Sequence, residues 1–136
     1  MINPTNRSLV VVRSNGRCEY CLVPEFARKL TFNIDHVVAT QHQRNDHPDN
    51  LCFCCPKCNR KKGPNLAGID PTMQTIVPLF HPRLQVWAEH FRTNGPLIVG
   101  LTPTGRATVA VLDLNHEDRI DFRQSLIDEG YWPDVR

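Results

Sequence analysis

The sequence predicts an α+β fold in which a small ββα unit is stapled by a four-cysteine zinc site and followed by an α/β C-terminal extension. Three observations carry this expectation. Cys18, Cys21, Cys55 and Cys58 form two Cys-x-x-Cys pairs. Each pair can turn two thiolates to one side of a tight knuckle, and two knuckles complete the tetrahedral sulfur shell that a structural zinc prefers. Between and just after the pairs the pattern reads strand, polar loop, strand, helix. Beyond about Leu66, short apolar segments punctuated by Gly68, Pro71, Pro78, Pro82, Gly95 and Pro103 alternate with helical stretches.

The elements follow in chain order. Pro4-Thr5 opens a segment in which Leu9, Val10 and Val12 can pack, and Asn15-Gly16 closes it with residues that accept a left-handed backbone, so a short N-terminal helix is expected. The Val10-Val11-Val12 run would also suit a strand. Thr31 to Val38 reads as a strand, with Phe32, Ile34 and His36 on one side by two-residue alternation. Ala39 to Asp49 is polar, has no apolar period and contains Pro48, so it reads as a loop. Leu51 to Cys54 suits a short returning strand, and Pro56 fits the first turn of a helix that Gly63-Pro64 stops. In the second half, Thr75 to Phe80 and Pro96 to Leu101 read as strands. Helices are expected over Arg83 to Phe91, about Thr104 to Leu114 and about Glu117 to Asp128, with Asn115 as a break. The expected organisation is a core over residues 1–66 and an extension over 67–136 packed as part of the same domain.

Cys52 and Cys54 leave two zinc registers open, because Cys52 and Cys55 also form a Cys-x-x-Cys pair. A cysteine outside the zinc shell is a small apolar residue of a half-buried strand. Six cysteines in a chain with no secretory leader read better as metal ligands than as disulfides.

The segments "FNIDHVV" (Phe32 to Val38), "DNL" (Asp49 to Leu51) and "CPKCNRKKG" (Cys55 to Gly63), in that order around two knuckles, resemble the HNH endonucleases. That family carries a His on a first strand, a middle Asn in a loop and a last His or Asn on a short helix. Here these are His36, Asn50 and Asn59, so Asn replaces the final His. The resemblance favours Cys55 and Cys58 as the second zinc pair. It implies a phosphodiester hydrolase with a structural Zn²⁺ and a catalytic Mg²⁺ or Mn²⁺. Asp35 and Asn59 offer hard oxygen ligands for the catalytic ion. An imidazole titrating near neutrality suits His36 as general base, and Asn50 is suited to orienting the loop and, through it, the imidazole. His42 and His47 lie in the same loop as lesser candidates to assist the metal or a phosphate.

The partner implied by the resemblance is nucleic acid, and DNA in particular. Formal net charge is only +2, but its distribution is uneven: residues 1–112 hold 13 basic and 7 acidic side chains, and residues 113–136 hold 3 and 7. Lys57, Arg60, Lys61 and Lys62 fall within six positions with no acid among them. A cluster of this kind suits a phosphate backbone, so Arg60, Lys61 and Lys62 are expected to contact substrate, although a basic run is as often a solvated helix end. No run of about 18 or more apolar residues occurs, and a cytoplasmic location with no membrane contact is the expectation. The competing class is a non-catalytic zinc module that binds nucleic acid or a protein, for which Asp35, His36, Asn50 and Asn59 would be superfluous.

Overall fold

The structure, a computed structural model, describes residues 2–133. Helix α1 spans Pro4–Arg13. Asn3 caps it by accepting from the Asn6 amide, Pro4 occupies the first turn, and Asn15 and Gly16 take left-handed φ angles of 59° and 69° at its exit. Only Val10 of the apolar trio is buried; Val12 is 76% exposed and Leu9 46%. Its last residue adds a polar tie to the packing of Val10. Arg13 Nη2 donates to the carbonyls of Pro48 and Leu51, 2.6 and 2.5 Å away, which ties α1 to the end of the polar loop.

Strand β1 covers Asn33–His36 and β2 covers Leu51–Cys54, and they pair antiparallel with Asp35 opposite Cys52 and His36 opposite Leu51. β1 is shorter than the expected Thr31 to Val38. Both residues after His36 are captured by Asn50, through the Val37 amide to the Asn50 carbonyl at 2.8 Å and the Val38 amide to Asn50 Oδ1 at 2.9 Å. Helix α2, Pro56–Lys62, follows β2 directly and packs on β1, which completes the ββα unit. Pro56 lies in its first turn, and Gly63, at φ 52°, lets the chain leave it.

The extension begins with a small hairpin, β3 (Ala67–Ile69) and β4 (Ile76–Pro78). A single helical turn, α3 (Trp87–His90), leads into a second hairpin of β5 (Phe91–Asn94) and β6 (Leu97–Gly100). Helices α4 (Pro103–Val111) and α5 (Glu117–Asp128) end it. α4 lies against β3, β4 and β6. The expected helix over Arg83 to Phe91 is thus corrected to one turn, and β3 and β5 were not foreseen. Asn115 marks the expected break and links the hairpin to the helices, since its amide both accepts from and donates to the Ile98 backbone. No helix among the described residues is long and apolar enough to cross a membrane.

Asp70, fully buried in the β3–β4 connection, receives both Nε and Nη2 of Arg106 on α4 at 2.9 and 2.8 Å. These bonds hold its carboxyl down to about 2. A carboxyl depressed in the folded state stabilises above its unfolded pKa of about 3.9 and loses that contribution as pH falls toward the folded value. Asp70→Asn is therefore expected to be less stable than wild type near neutrality, with the gap closing between about pH 4 and pH 2. Urea unfolding of both proteins across that range checks it, because zinc loss in acid is common to both and cancels. A gap independent of pH would show that the ion pair contributes nothing.

Candidate active site and zinc centre

The four sulfurs of Cys18, Cys21, Cys55 and Cys58 lie within 4.8 Å of one another, all buried. The first knuckle is closed by two backbone bonds, Cys18 N to Val23 O and Leu22 N to Cys18 O, each 2.9 Å, with Leu22 at a left-handed φ of 65°. Glu19 ties it to β2 through its amide to Phe53 O and its carboxylate to Phe53 N. The second knuckle is the start of α2, where Cys55 is the cap and its Sγ accepts from the Cys58 amide at 3.4 Å. Zn–S bonds of about 2.3 Å in a tetrahedron place sulfurs about 3.8 Å apart, and Cys21 Sγ lies 3.8 Å from Cys55 Sγ.

The acid–base chemistry of the cluster also fits a cation. Burial pushes the Cys18 and Cys58 thiols well up, whereas hydrogen bonds from Cys18, Cys55 and Cys58 pull Cys21 well down. Burial opposes charge at these sulfurs, and a divalent ion among four thiolates offsets that cost. Cys52 and Cys54 stay outside the cluster as buried residues of β2, and burial pushes the Cys52 thiol up to about 12.

A second group of side chains gathers around the exit of β1. His36 is about one-fifth exposed, and its Nε2 lies 2.7 Å from Asp46 Oδ1 in the polar loop. The hydrogen bond from His36 holds the Asp46 carboxyl below the usual range. An ionised carboxylate only accepts, so the shared proton belongs to Nε2, and Nδ1 carries the lone pair of the neutral ring. Asn50 is buried. Its Oδ1 accepts from Val38 N, and its Nδ2 donates to Val38 O and Asn45 O at 3.1 and 2.9 Å. One amide thus clasps both sides of the loop immediately beyond His36 and sets where Asp46 stands.

Asp35 has a different environment. Its Oδ2 is buried without a hydrogen-bond partner, and among the described residues it is the only carboxylate oxygen so placed. Burial pushes its carboxyl up, against the opposing charge of Lys62. Lys62 itself is fully buried, with Nζ donating to Val37 O at 2.9 Å. Asn59 precedes Lys62 by three positions on α2 and so shares the helix face turned toward β1. The orphaned Asp35 oxygen and the half-buried amide of Asn59 both offer oxygen donors of the kind a hard divalent ion takes.

Of the expected phosphate contacts, Lys62 is corrected: it points inward. A residue four positions after the buried Cys58 falls on the same inward face of the helix. Arg60 and Lys61 remain exposed beside a cleft of about 200 Å³ shared with Lys57, Asp113 and His116, and Lys61 Nζ is 3.8 Å from Asp113. His42 and His47 are engaged with other backbone groups. His42 Nε2 meets Pro64 O at 2.9 Å, and His47 Nδ1 accepts from the Asp49 amide. Sequence reasoning missed Asp46. A carboxylate ten residues from His36 in a polar loop gives no spacing signal.

The antiparallel pair and following helix, with a four-cysteine cluster at its root, define a small ββα-metal fold of the HNH type. The HNH endonuclease family profile matches residues 18–65. The chain is also 25% identical over 120 residues to the Septu protein PtuB of Bacillus thuringiensis, an alignment covering 84% of this chain and 42% of that protein. It therefore spans less than half the length of that relative. No solved structure matches it.

Proposed function

We propose that the protein is a metal-dependent endonuclease that hydrolyses phosphodiester bonds of DNA, with His36 as general base and a divalent ion held by Asp35 and Asn59. The observation that carries this reading is the buried Asp35 oxygen without a hydrogen-bond partner, in the residue that directly precedes a histidine whose Nε2 is committed to Asp46. Nδ1 of His36 takes a proton from the attacking water, and Asp46 stabilises the imidazolium that forms. Asn50 fixes the loop that presents Asp46. The ion, when bound, supplies electrostatic stabilisation of the charge that develops on the phosphate and the departing oxygen. Asp35 and Asn59 hold it from opposite elements, and the buried ammonium of Lys62 favours the ionised form of Asp35. A pure binding module needs none of this arrangement.

Nicking of supercoiled plasmid with Mg²⁺ or Mn²⁺, and its suppression by a chelator of those ions, is the expected behaviour. An inactive protein that still binds DNA with wild-type zinc content would instead identify a non-catalytic module.

The same DNA tests the surface charges, in a His36→Ala background that binds without cutting. Arg60→Ala is expected to lower the slope of log affinity against log salt by about one. Lys61→Ala should lower it less, since Asp113 already opposes that charge. Lys62→Ala should leave the slope unchanged and cost about 1–3 kcal/mol of stability by leaving the buried Val37 carbonyl unpaired. A salt slope that falls for Lys62 and not for Arg60 would reverse this assignment.

A further inference from the structure

We propose that Arg119, on the last helix of the extension, is the built-in counter-charge of the zinc centre, so that the extension completes the metal site of the ββα unit. The inference rests on the reading of the four cysteines as zinc ligands. Its observations lie outside the HNH segment. Arg119 stands 61 positions after Cys58, is buried, and directs Nη2 at Cys58 Sγ from 2.9 Å and at Cys55 Sγ from 4.0 Å. Its other nitrogen, Nη1, donates to Leu112 O at 2.8 Å, which fixes the guanidinium against the end of α4.

The surroundings show why an arginine belongs there. Arg119, Arg123 and Leu126 follow one another at i, i+4 and i+7 and form the buried face of α5. Two arginines on the inward face of a helix are costly unless something there compensates them. Arg123 donates Nε to the Pro96 carbonyl and Nη2 to Asn115 Oδ1, at 2.7 and 3.0 Å, with Nη1 left without a hydrogen-bond partner. Arg119 has one carbonyl and the sulfurs. A zinc ion with four thiolates carries a net charge of −2, buried here on all four ligands, and a fixed guanidinium offsets half of it. An N–H directed at a zinc-bound sulfur also withdraws electron density from that sulfur and fixes its position. A second, independent bond from the extension reaches the other knuckle: Trp132 Nε1 donates to Cys21 O at 2.9 Å.

The extension therefore holds both knuckles, Cys58 through Arg119 and Cys21 through Trp132. It acts on zinc retention, a property distinct from the chemistry at His36.

The test is zinc release from the full chain into a chromophoric chelator, after metal analysis of the purified proteins. Wild type should hold one zinc and release it slowly. Arg119→Met, which keeps the length of the side chain and removes its charge and N–H groups, should release zinc about 10- to 100-fold faster, the usual cost of losing a group that supports metal ligands. Arg119→Lys keeps the charge without the fork and should fall between; it serves as the readout if the methionine variant fails to fold. Leu126→Ala, on the same buried face with no polar group to direct at sulfur, loosens α5 by another route and should release zinc at the wild-type rate.

Wild-type rates in both Arg119 variants would overturn the inference while leaving the zinc reading intact. Equal acceleration in Leu126→Ala would overturn it by showing that any loosening of α5 suffices. A wild-type protein without zinc would remove the zinc reading and the inference with it.

Discussion

Cys58→Ser is expected to leave the chain without zinc and largely unfolded at ambient temperature. In small zinc modules the metal-binding free energy is folding free energy, of order 10 kcal/mol, which is comparable to the whole stability of a typical domain, about 5–15 kcal/mol. Cys58 is fully buried and shares its cluster with three other sulfurs. It is also the nearest sulfur to the Arg119 guanidinium. Its loss removes a ligand and strands a buried cation, and a buried charge deprived of its partner costs about 3–5 kcal/mol by itself. Cys52→Ser is the informative contrast. Cys52 is just as buried, yet its sulfur approaches the Tyr20 hydroxyl at 4.0 Å and lies outside the cluster. That variant should keep one zinc and fold. Zinc per chain and thermal denaturation, measured on both, decide it; wild-type zinc in Cys58→Ser with loss in Cys52→Ser would move the site to the other register.

The N-terminal half was legible because its signals are local. A knuckle needs two cysteines three positions apart, a helix start accepts Pro56, and Gly63 supplies the left-handed exit that stops α2. At about 100° per residue Arg60, Lys61 and Lys62 cannot all face one way, and Lys62, four positions after Cys58, is the one that turns inward. In the extension the helix expected over Arg83 to Phe91 rested on Leu84, Trp87 and Phe91 at helical spacing. The structure leaves Leu84 77% exposed. It sends the Trp87 indole to the Tyr20 carbonyl and gives Phe91 to the strand paired with β6. Gly95, the first residue of the two-residue turn after Asn94 and at φ 56°, was the available signal, since a glycine there favours a tight strand turn. Nothing local could have announced Arg119 or Asp46. Each gains its meaning from a partner that only the fold brings near.

The alignment of those partners sets the division of labour expected at the reactive site. His36→Ala should reduce plasmid cleavage by about 10²-fold or more, the usual worth of a general base, while leaving zinc content and thermal stability close to wild type. The second expectation follows from the environment of the ring. His36 is partly exposed, and its side-chain bond goes to Asp46, itself 42% exposed at the loop surface, so its removal opens no deep cavity and leaves no buried ion. Asp35→Ala and Asn59→Ala should behave differently, raising the concentration of Mg²⁺ or Mn²⁺ needed for half-maximal cleavage, because they remove oxygen donors and leave the imidazole in place. Metal titrations of cleavage rate for the three variants separate the two effects: the first lowers the plateau, the other two shift the midpoint. Cleavage by His36→Ala at the wild-type rate across pH 6 to 9 would show that the proton leaves the attacking water by another route. A midpoint unchanged in both Asp35→Ala and Asn59→Ala would mean that the partnerless oxygen of Asp35 does not hold the ion.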